Sequence, residues 1–129
     1  MTIFKIFFKK IIITITKVLS KTRLGRYANE IIIEDVMRRL KTVIHENIEM
    51  QFSIPNHLNH YRVDTFSTKE PETLNWIDSL PEGSQLWDVG ANIGLYSIYA
   101  AKRKKCNVFS FEPSVFNLEL LARNVFVNG

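Results

Sequence analysis

Apolar positions near the start of the chain have helical spacing. On a helix of about 100° per residue, most apolar side chains of residues 3–19 fall on one half and the lysines on the other, which predicts a basic amphipathic helix. Gly25 is expected to end this helix, and a second apolar stripe predicts another helix over residues 28–41. The longest uncharged run in the first helix is Ile11–Thr16, which is too short to span a membrane.

The pattern then changes to alternation. Met50, Phe52 and Ile54 alternate with polar residues, which predicts a half-buried strand. With an extended stretch at residues 42–45 and a turn at residues 46–49, this strand predicts a β-hairpin.

His57 and His60 follow the hairpin in a predicted loop, at a spacing that could suggest a metal site. Zinc needs three or four ligands, and no further ligand lies nearby in the sequence. We therefore interpret these histidines as structural or solvated residues and predict no metal site.

A helix is predicted before the main sheet. Ser67 and Glu70 have the spacing of a capping box, and Pro71 suits the first turn of a helix. This helix is expected to run to Leu80, with two residues facing the core: Leu74 and Ile77.

Two short apolar runs, residues 86–89 and 108–111, predict strands of a different kind. Both lack polar alternation, which is typical of a parallel sheet covered on both faces. Helical patterns follow each run, at residues 93–102 and 114–128, and the second is predicted to face the core with Leu118, Leu121, Ala122 and Val125. Strands that alternate with helices predict an α/β fold.

Charge is distributed unevenly over the 129 residues. The formal net charge is +4, but residues 1–26 contain seven basic residues and no acidic one, which leaves 10 basic and 13 acidic residues for the remainder. A folded region that is net acidic argues against a nucleic-acid partner. Cys106 is the single cysteine, so no intramolecular disulfide is possible and a reducing, cytoplasmic location is expected, with Cys106 half-buried.

The basic segment leaves two interpretations open. Residues 3–19 could lie peripherally on an anionic membrane, because lysines border the apolar side, or the same helix could dock on the rest of the protein. The sequence favours neither.

The turn after the first apolar run carries the candidate chemistry. Asp88 precedes a glycine turn in which Gly90 and Gly94 flank Asn92, and the second strand also ends in an acid, Glu112. A strand, a glycine turn, a helix and a second strand ending in an acid are typical of a nucleotide site. The glycine spacing is not the G-x-G-x-x-G of dinucleotide-binding proteins, which disfavours an NAD-dependent oxidoreductase.

The segments DVGANIGLYSIYAAK and FSFEPSVFNLELLARNVFVNG resemble the FkbM family of S-adenosylmethionine (SAM)-dependent methyltransferases. The resemblance continues upstream through FSIPNHLNHYR and TKEPETLNWID, so that it covers about residues 50–129, including Lys69-Glu70-Pro71, Asn124 and Asn128. It implies a SAM cofactor and O-methylation of a sugar, lipid-linked or secondary-metabolite hydroxyl.

The resemblance also implies roles for individual residues. Asp88 would orient the amino-acid end of the cofactor and Glu112 would hold its ribose. Four residues of the turn would wrap the cofactor: Gly90, Ala91, Asn92 and Gly94. No catalytic residue is predicted.

We therefore expect a Rossmann-like class I methyltransferase fold that is cut after its second parallel strand and helix, with N-terminal helices and a β-hairpin before it. The predicted segments are residues 1–26, the basic helix; 27–81, the elements before the core; and 82–129, the start of the SAM-binding domain. Two parallel strands are a poor independent unit, so we expect the 129 residues alone to be incomplete and inactive. The alternative is a non-catalytic, membrane-associated fragment.

Overall fold

The computed structural model describes residues 2–129, which form two compact units. One unit ends at Arg38 and the other spans Arg39–Gly129. The first contains α1 (Thr2–Leu19) and α2 (Arg23–Met37). In the part of the chain that the structure describes, no helix has both the length and the apolar character needed to cross a membrane.

The connection between α1 and α2 differs from the prediction. Gly25 does not end a helix but lies in the first turn of α2, where its N–H donates to the Thr22 hydroxyl at 3.0 Å. A Cβ at Gly25 would lie 2.0 Å from the carbonyl oxygen of Leu19. Glycine is therefore needed here for the close approach of α1 rather than to interrupt the helix.

The second unit opens with the predicted hairpin. Strands β1 (Leu40–His45) and β2 (Ile48–Ser53) pair antiparallel, with His45 opposite Ile48. The turn contains only Glu46 and Asn47, shorter than predicted, and both residues have positive φ. Two left-handed residues match the right-handed twist of paired strands, which explains the tight connection.

Three short helices follow the hairpin: α3 (His57–Asp64), α4 (Phe66–Lys69) and α5 (Pro71–Ser79). The prediction of a loop at His57 and His60 is wrong, because the Asn56 side chain accepts from the N–H of Asn59 and starts α3. The expected capping box is also absent, since Ser67 lies inside α4 and its hydroxyl is 3.0 Å from Nδ1 of His45. Leu74 and Ile77 are buried as predicted.

A strand–helix–strand–helix unit completes the chain: β3 (Gln85–Val89), α6 (Leu95–Lys104), β4 (Asn107–Phe111) and α7 (Val115–Asn128). Strands β3 and β4 pair parallel, with Asp88 opposite Ser110 and Val89 opposite Phe111. The predicted α/β class and the two parallel strands are confirmed. On one face of this sheet the side chains are exposed: Trp87, Val89, Phe109 and Phe111.

Helix α7 presents a different side to the core from the one predicted. Leu121 is buried as expected, but Leu118 and Val125 are about half exposed, at 46% and 50%, and Ala122 is also exposed. The side chain of Asn124 is fully buried, and Leu120 is also buried. Hydrogen bonds from two asparagines of α7 to the backbone of β2 explain this rotation. Cys106 is buried rather than half-buried.

The two asparagines bind the outer edge of β2. Asn124 accepts from the N–H of Ser53 at 2.7 Å, and Asn128 accepts from the N–H of Gln51 at 3.0 Å and donates to its carbonyl at 2.7 Å. Asn124 also donates to the carbonyl of Ile93 at 2.7 Å. These side chains form hydrogen bonds with backbone groups at the edge of β2, and they attach the hairpin to the segment that precedes α6.

Candidate functional site

A pocket of about 330 Å³ lies where the parallel strand β3 ends. The glycine turn between β3 and α6 forms one wall, with Asp88 at its start. Helix α4 and its neighbours form the opposite wall. The volume is at the lower end of the range for small-molecule sites, and the position is the usual one for ligands of α/β proteins. The residues that line it outside the turn are Arg62, Thr65, Phe66, Lys69, Glu70, Thr73, Leu95 and Tyr96.

The backbone of the glycine turn is left-handed at three positions. Gly90 has a φ of 86°, Asn92 of 56° and Gly94 of 85°. Asparagine is one of the few residues other than glycine that adopt this region readily. These angles delay the start of α6 to Leu95, two residues later than predicted.

Most N–H groups of this turn are hydrogen-bonded within the protein. Those of Gly90 and Ala91 both donate to the carbonyl of Phe111, at 2.8 and 3.0 Å, and that of Gly94 donates to Ala91 at 2.8 Å. The N–H of Asn92 donates to Glu112 at 2.8 Å. These backbone N–H groups therefore hold the turn against the end of β4. In a phosphate-binding loop, the corresponding N–H groups would be directed at the ligand.

Asp88 is held by Ser97, which in turn contacts Ser110. Its carboxylate accepts a short hydrogen bond from the Ser97 hydroxyl, and the hydroxyls of Ser97 and Ser110 lie 2.8 Å apart. Ser97 is buried in α6 and Ser110 faces Asp88 across the parallel pair. The network fixes the carboxylate of Asp88 through one of its oxygens.

Glu112 lies behind the glycine turn rather than in the wall of the pocket. One oxygen accepts from the N–H of Asn92, and the other accepts from the N–H of Ser114 at 2.8 Å and from the side chain of Asn117 at 3.4 Å. The N–H of Ser114 is the largest cause that lowers the pKa of Glu112. Glu112 is thus ionised. It accepts a hydrogen bond at the start of α7 and also anchors the glycine turn.

Of the six predicted site residues, four line the pocket, whereas Gly94 and Glu112 do not. Asp88, Gly90, Ala91 and Asn92 line the pocket. Gly94 instead contacts α7, because a Cβ built on it would lie 2.4 Å from Cδ1 of Leu121.

Several pocket residues were not predicted as site residues. Arg62 comes from α3, where a loop was expected, and Phe66 from α4. Lys69 and Glu70 were interpreted from the sequence mainly as a helix start; their charged groups lie 3.6 Å apart beside the pocket. The resemblance to a recurring Lys-Glu-Pro motif was the available signal for these two residues.

Tyr96 places a phenol in the pocket. Burial raises its pKa to about 12, and the charge and hydrogen bond of Glu70 act in the same direction, as does the charge of Asp88. Near neutral pH the hydroxyl therefore remains protonated and can donate a hydrogen bond. Tyr96 is a hydrogen-bond donor in this pocket and not a base.

Comparisons with known proteins identify no family for this chain. The chain matches no protein-family model, and no curated protein matches it. A crystal structure of a "putative transferase" from Pyrococcus horikoshii is similar over 69% of this chain, with 15% identity and a TM-score of 0.45. The chain spans about a third of that protein, 32% of its length. At this TM-score the likeness assigns neither a family nor an activity.

Proposed function

We propose that the chain forms the cofactor site of a SAM-dependent methyltransferase of the FkbM type, with a Rossmann-like class I fold. The proposed reaction is O-methylation of a sugar, lipid-linked or secondary-metabolite hydroxyl. The acceptor rests on the sequence resemblance alone. The cofactor is supported by the Asp88 turn and by its position at the carboxyl end of a parallel strand.

The hydrogen bonding of the glycine turn is the observation that favours SAM. Dinucleotide-binding turns direct free N–H groups at a pyrophosphate. Here the N–H groups of Gly90, Ala91, Asn92 and Gly94 are all used inside the protein. Such a turn suits a cofactor without phosphate groups, which SAM is and NAD is not.

The charges of the pocket suit the amino-acid end of SAM. Arg62 and Lys69 provide cations for a carboxylate, and Glu70 and Asp88 provide acceptors for an ammonium group. A zwitterion can therefore be held without an uncompensated buried charge.

Glu112 has the remaining hydrogen-bond capacity that a ribose needs. Each carboxylate oxygen can accept about two hydrogen bonds, and in Glu112 each accepts one of 2.8 Å from a backbone N–H. The contact with Asn117 is longer, at 3.4 Å. One ribose hydroxyl could therefore still donate to Glu112, and a second could do so in place of the long contact with Asn117.

When bound, SAM would supply an electrophilic methyl group for in-line transfer to a hydroxyl. The residues described here bind and orient. Asp88 is fixed by Ser97, and Tyr96 keeps its proton and can donate a hydrogen bond. We assign no catalytic base.

Cofactor choice can be tested with saturation-transfer NMR, which detects weak complexes. SAM and S-adenosylhomocysteine should receive saturation from the protein, and NAD at the same concentration should not. Signals from NAD without signals from SAM would reverse the assignment, and silence from both would leave the pocket without support as a SAM site.

The role of Glu112 can be tested in the same experiment. Glu112→Gln removes a charge-assisted acceptor and should weaken SAM binding roughly 10- to 100-fold. Glu119→Gln is the matched control, because Glu119 is exposed on α7 and pairs with Arg123 at 2.9 Å. Equal SAM affinity in the two folded variants would mean that Glu112 does not bind the cofactor and only stabilises the start of α7.

A further inference from the structure

The first helix exposes a continuous apolar half along its whole length. Its nine side chains are between 39% and 84% exposed: Ile3, Phe4, Phe7, Phe8, Ile11, Ile12, Ile15, Val18 and Leu19. Soluble proteins rarely leave an apolar surface of this extent uncovered, and such surfaces mark binding sites. We call this surface the α1 apolar face.

Lysines border the α1 apolar face on both sides. On the helix, Lys5 lies at one edge and Lys10 and Lys17 at the other, while Lys9 lies further round on the polar half, and all four are exposed. No acidic residue occurs before Glu30. Two copies of this face in contact would bring like charges together along both edges, whereas an anionic lipid surface is complementary to both the apolar half and its borders.

The polar groups within the face are already satisfied. Thr14 lies within the apolar half, and its hydroxyl donates to the carbonyl of Lys10 at 3.0 Å. Thr16, on the opposite side, donates in the same way to Ile12 at 2.8 Å. Burial of the face in the acyl boundary would therefore leave no hydroxyl donor unpaired.

We propose that α1 lies flat on the surface of an anionic membrane, with the α1 apolar face in the acyl boundary and the bordering lysines at the headgroups. A helix of 18 residues is about 27 Å long, enough for a firm interfacial anchor. The assignment is independent of the cofactor and of the reaction proposed above.

The charge contribution can be measured by co-sedimentation of the full chain with phosphatidylcholine vesicles that contain or lack phosphatidylglycerol. Each lysine near an anionic surface contributes about fivefold, so Lys10→Gln with Lys17→Gln should weaken binding roughly 25-fold. Lys102→Gln with Lys105→Gln removes the same charge from the end of α6 and should leave binding unchanged. Equal losses in the two double variants, or no sedimentation of the wild type, would overturn the proposal.

The apolar contribution needs a separate variant. Phe7→Ser with Ile11→Ser should abolish sedimentation with both vesicle types, and circular dichroism should verify that the helical content is retained. Analytical ultracentrifugation without lipid tests the alternative that the α1 apolar face binds a second copy of the chain. If this variant removes a concentration-dependent dimer and leaves vesicle binding intact, the face binds a second copy and the proposal is wrong.

Discussion

The two glycines of the β3–α6 turn have nearly the same φ, but glycine is required at the two positions for different reasons. A Cβ on Gly90 would meet no atom within 4 Å, so only the backbone angle requires glycine there. At Gly94 the angle and the contact with Leu121 both require it. The family resemblance implied a cofactor role for both, because a motif shows which positions need glycine and not which side of the backbone is occupied.

Replacement of Gly94 by alanine should therefore cost more than replacement of another left-handed glycine. Gly83 has a φ of 77° and open space around it, so Gly83→Ala should cost about 1–2 kcal/mol of backbone strain. Gly94→Ala adds displacement of the buried Leu121 side chain, about 1–3 kcal/mol more. Urea unfolding of the two variants measures the difference, and equal midpoints would mean that Leu121 moves without cost.

The pH dependence of stability should show the contribution of Glu112. Its pKa in the folded protein is lowered from the ordinary value of 4.5, chiefly by the N–H of Ser114. A lowered pKa stabilises the fold above 4.5, and this stabilisation is lost as the pH falls through the folded-state pKa. Glu112→Gln should flatten thermal stability over this acid range, whereas a slope identical to that of the wild type would assign the acid sensitivity to other carboxylates.

Among the secondary-structure elements, prediction succeeded where local pattern and burial agree. Strands β3 and β4 and helix α6 were predicted because short, mainly apolar runs alternate with a helical stripe. Helix α3 was missed because its buried residues are only Asn59 and Val63, which form no apolar stripe. The buried side of α7 was mispredicted because Asn124 is buried there by hydrogen bonds to partners far away in the sequence, at positions 53 and 93.

The attachment of α7 to the hairpin should depend strongly on Asn124. Asn124→Ala leaves the N–H of Ser53 and the carbonyl of Ile93 without this partner in a buried setting, which should cost about 2–5 kcal/mol. Asn75→Ala on the exposed side of α5 is the matched control and should change stability by less than about 0.5 kcal/mol. Similar unfolding midpoints for both variants would show that solvent replaces the asparagine.

At the scale of the whole molecule, the sequence predicted only one wall of the candidate pocket, the wall formed by the end of β3 and the glycine turn. The turn at Asp88 carries a local signal, because its residues are adjacent in sequence. The opposite wall, with Arg62 and Phe66, comes from short helices without a strong period, and only the tertiary fold brings them to the turn. The sequence also predicted a sheet covered on both faces, whereas one face is exposed.

That exposed face should be visible in tryptophan fluorescence. Trp87 on β3 is 68% exposed, and Trp76 on α5 is 52% exposed. The Trp76→Phe variant isolates Trp87, whose emission should be red-shifted and readily quenched by acrylamide, close to the behaviour of the urea-unfolded chain. Blue-shifted emission that is insensitive to acrylamide would show that the face is covered in solution.

The double hydrogen bonding of Asn124 has a consequence for motion. Its amide holds the carbonyl of Ile93, next to the pocket, and the N–H of Ser53, on the far hairpin, in a single rigid group. Tightening of the turn by a ligand should therefore suppress local opening of β2. In hydrogen–deuterium exchange, saturating SAM should slow the exchange of the Ser53 amide in the wild type and have no effect on it in Asn124→Ala. The pocket and the hairpin would then open and close as one cooperative unit.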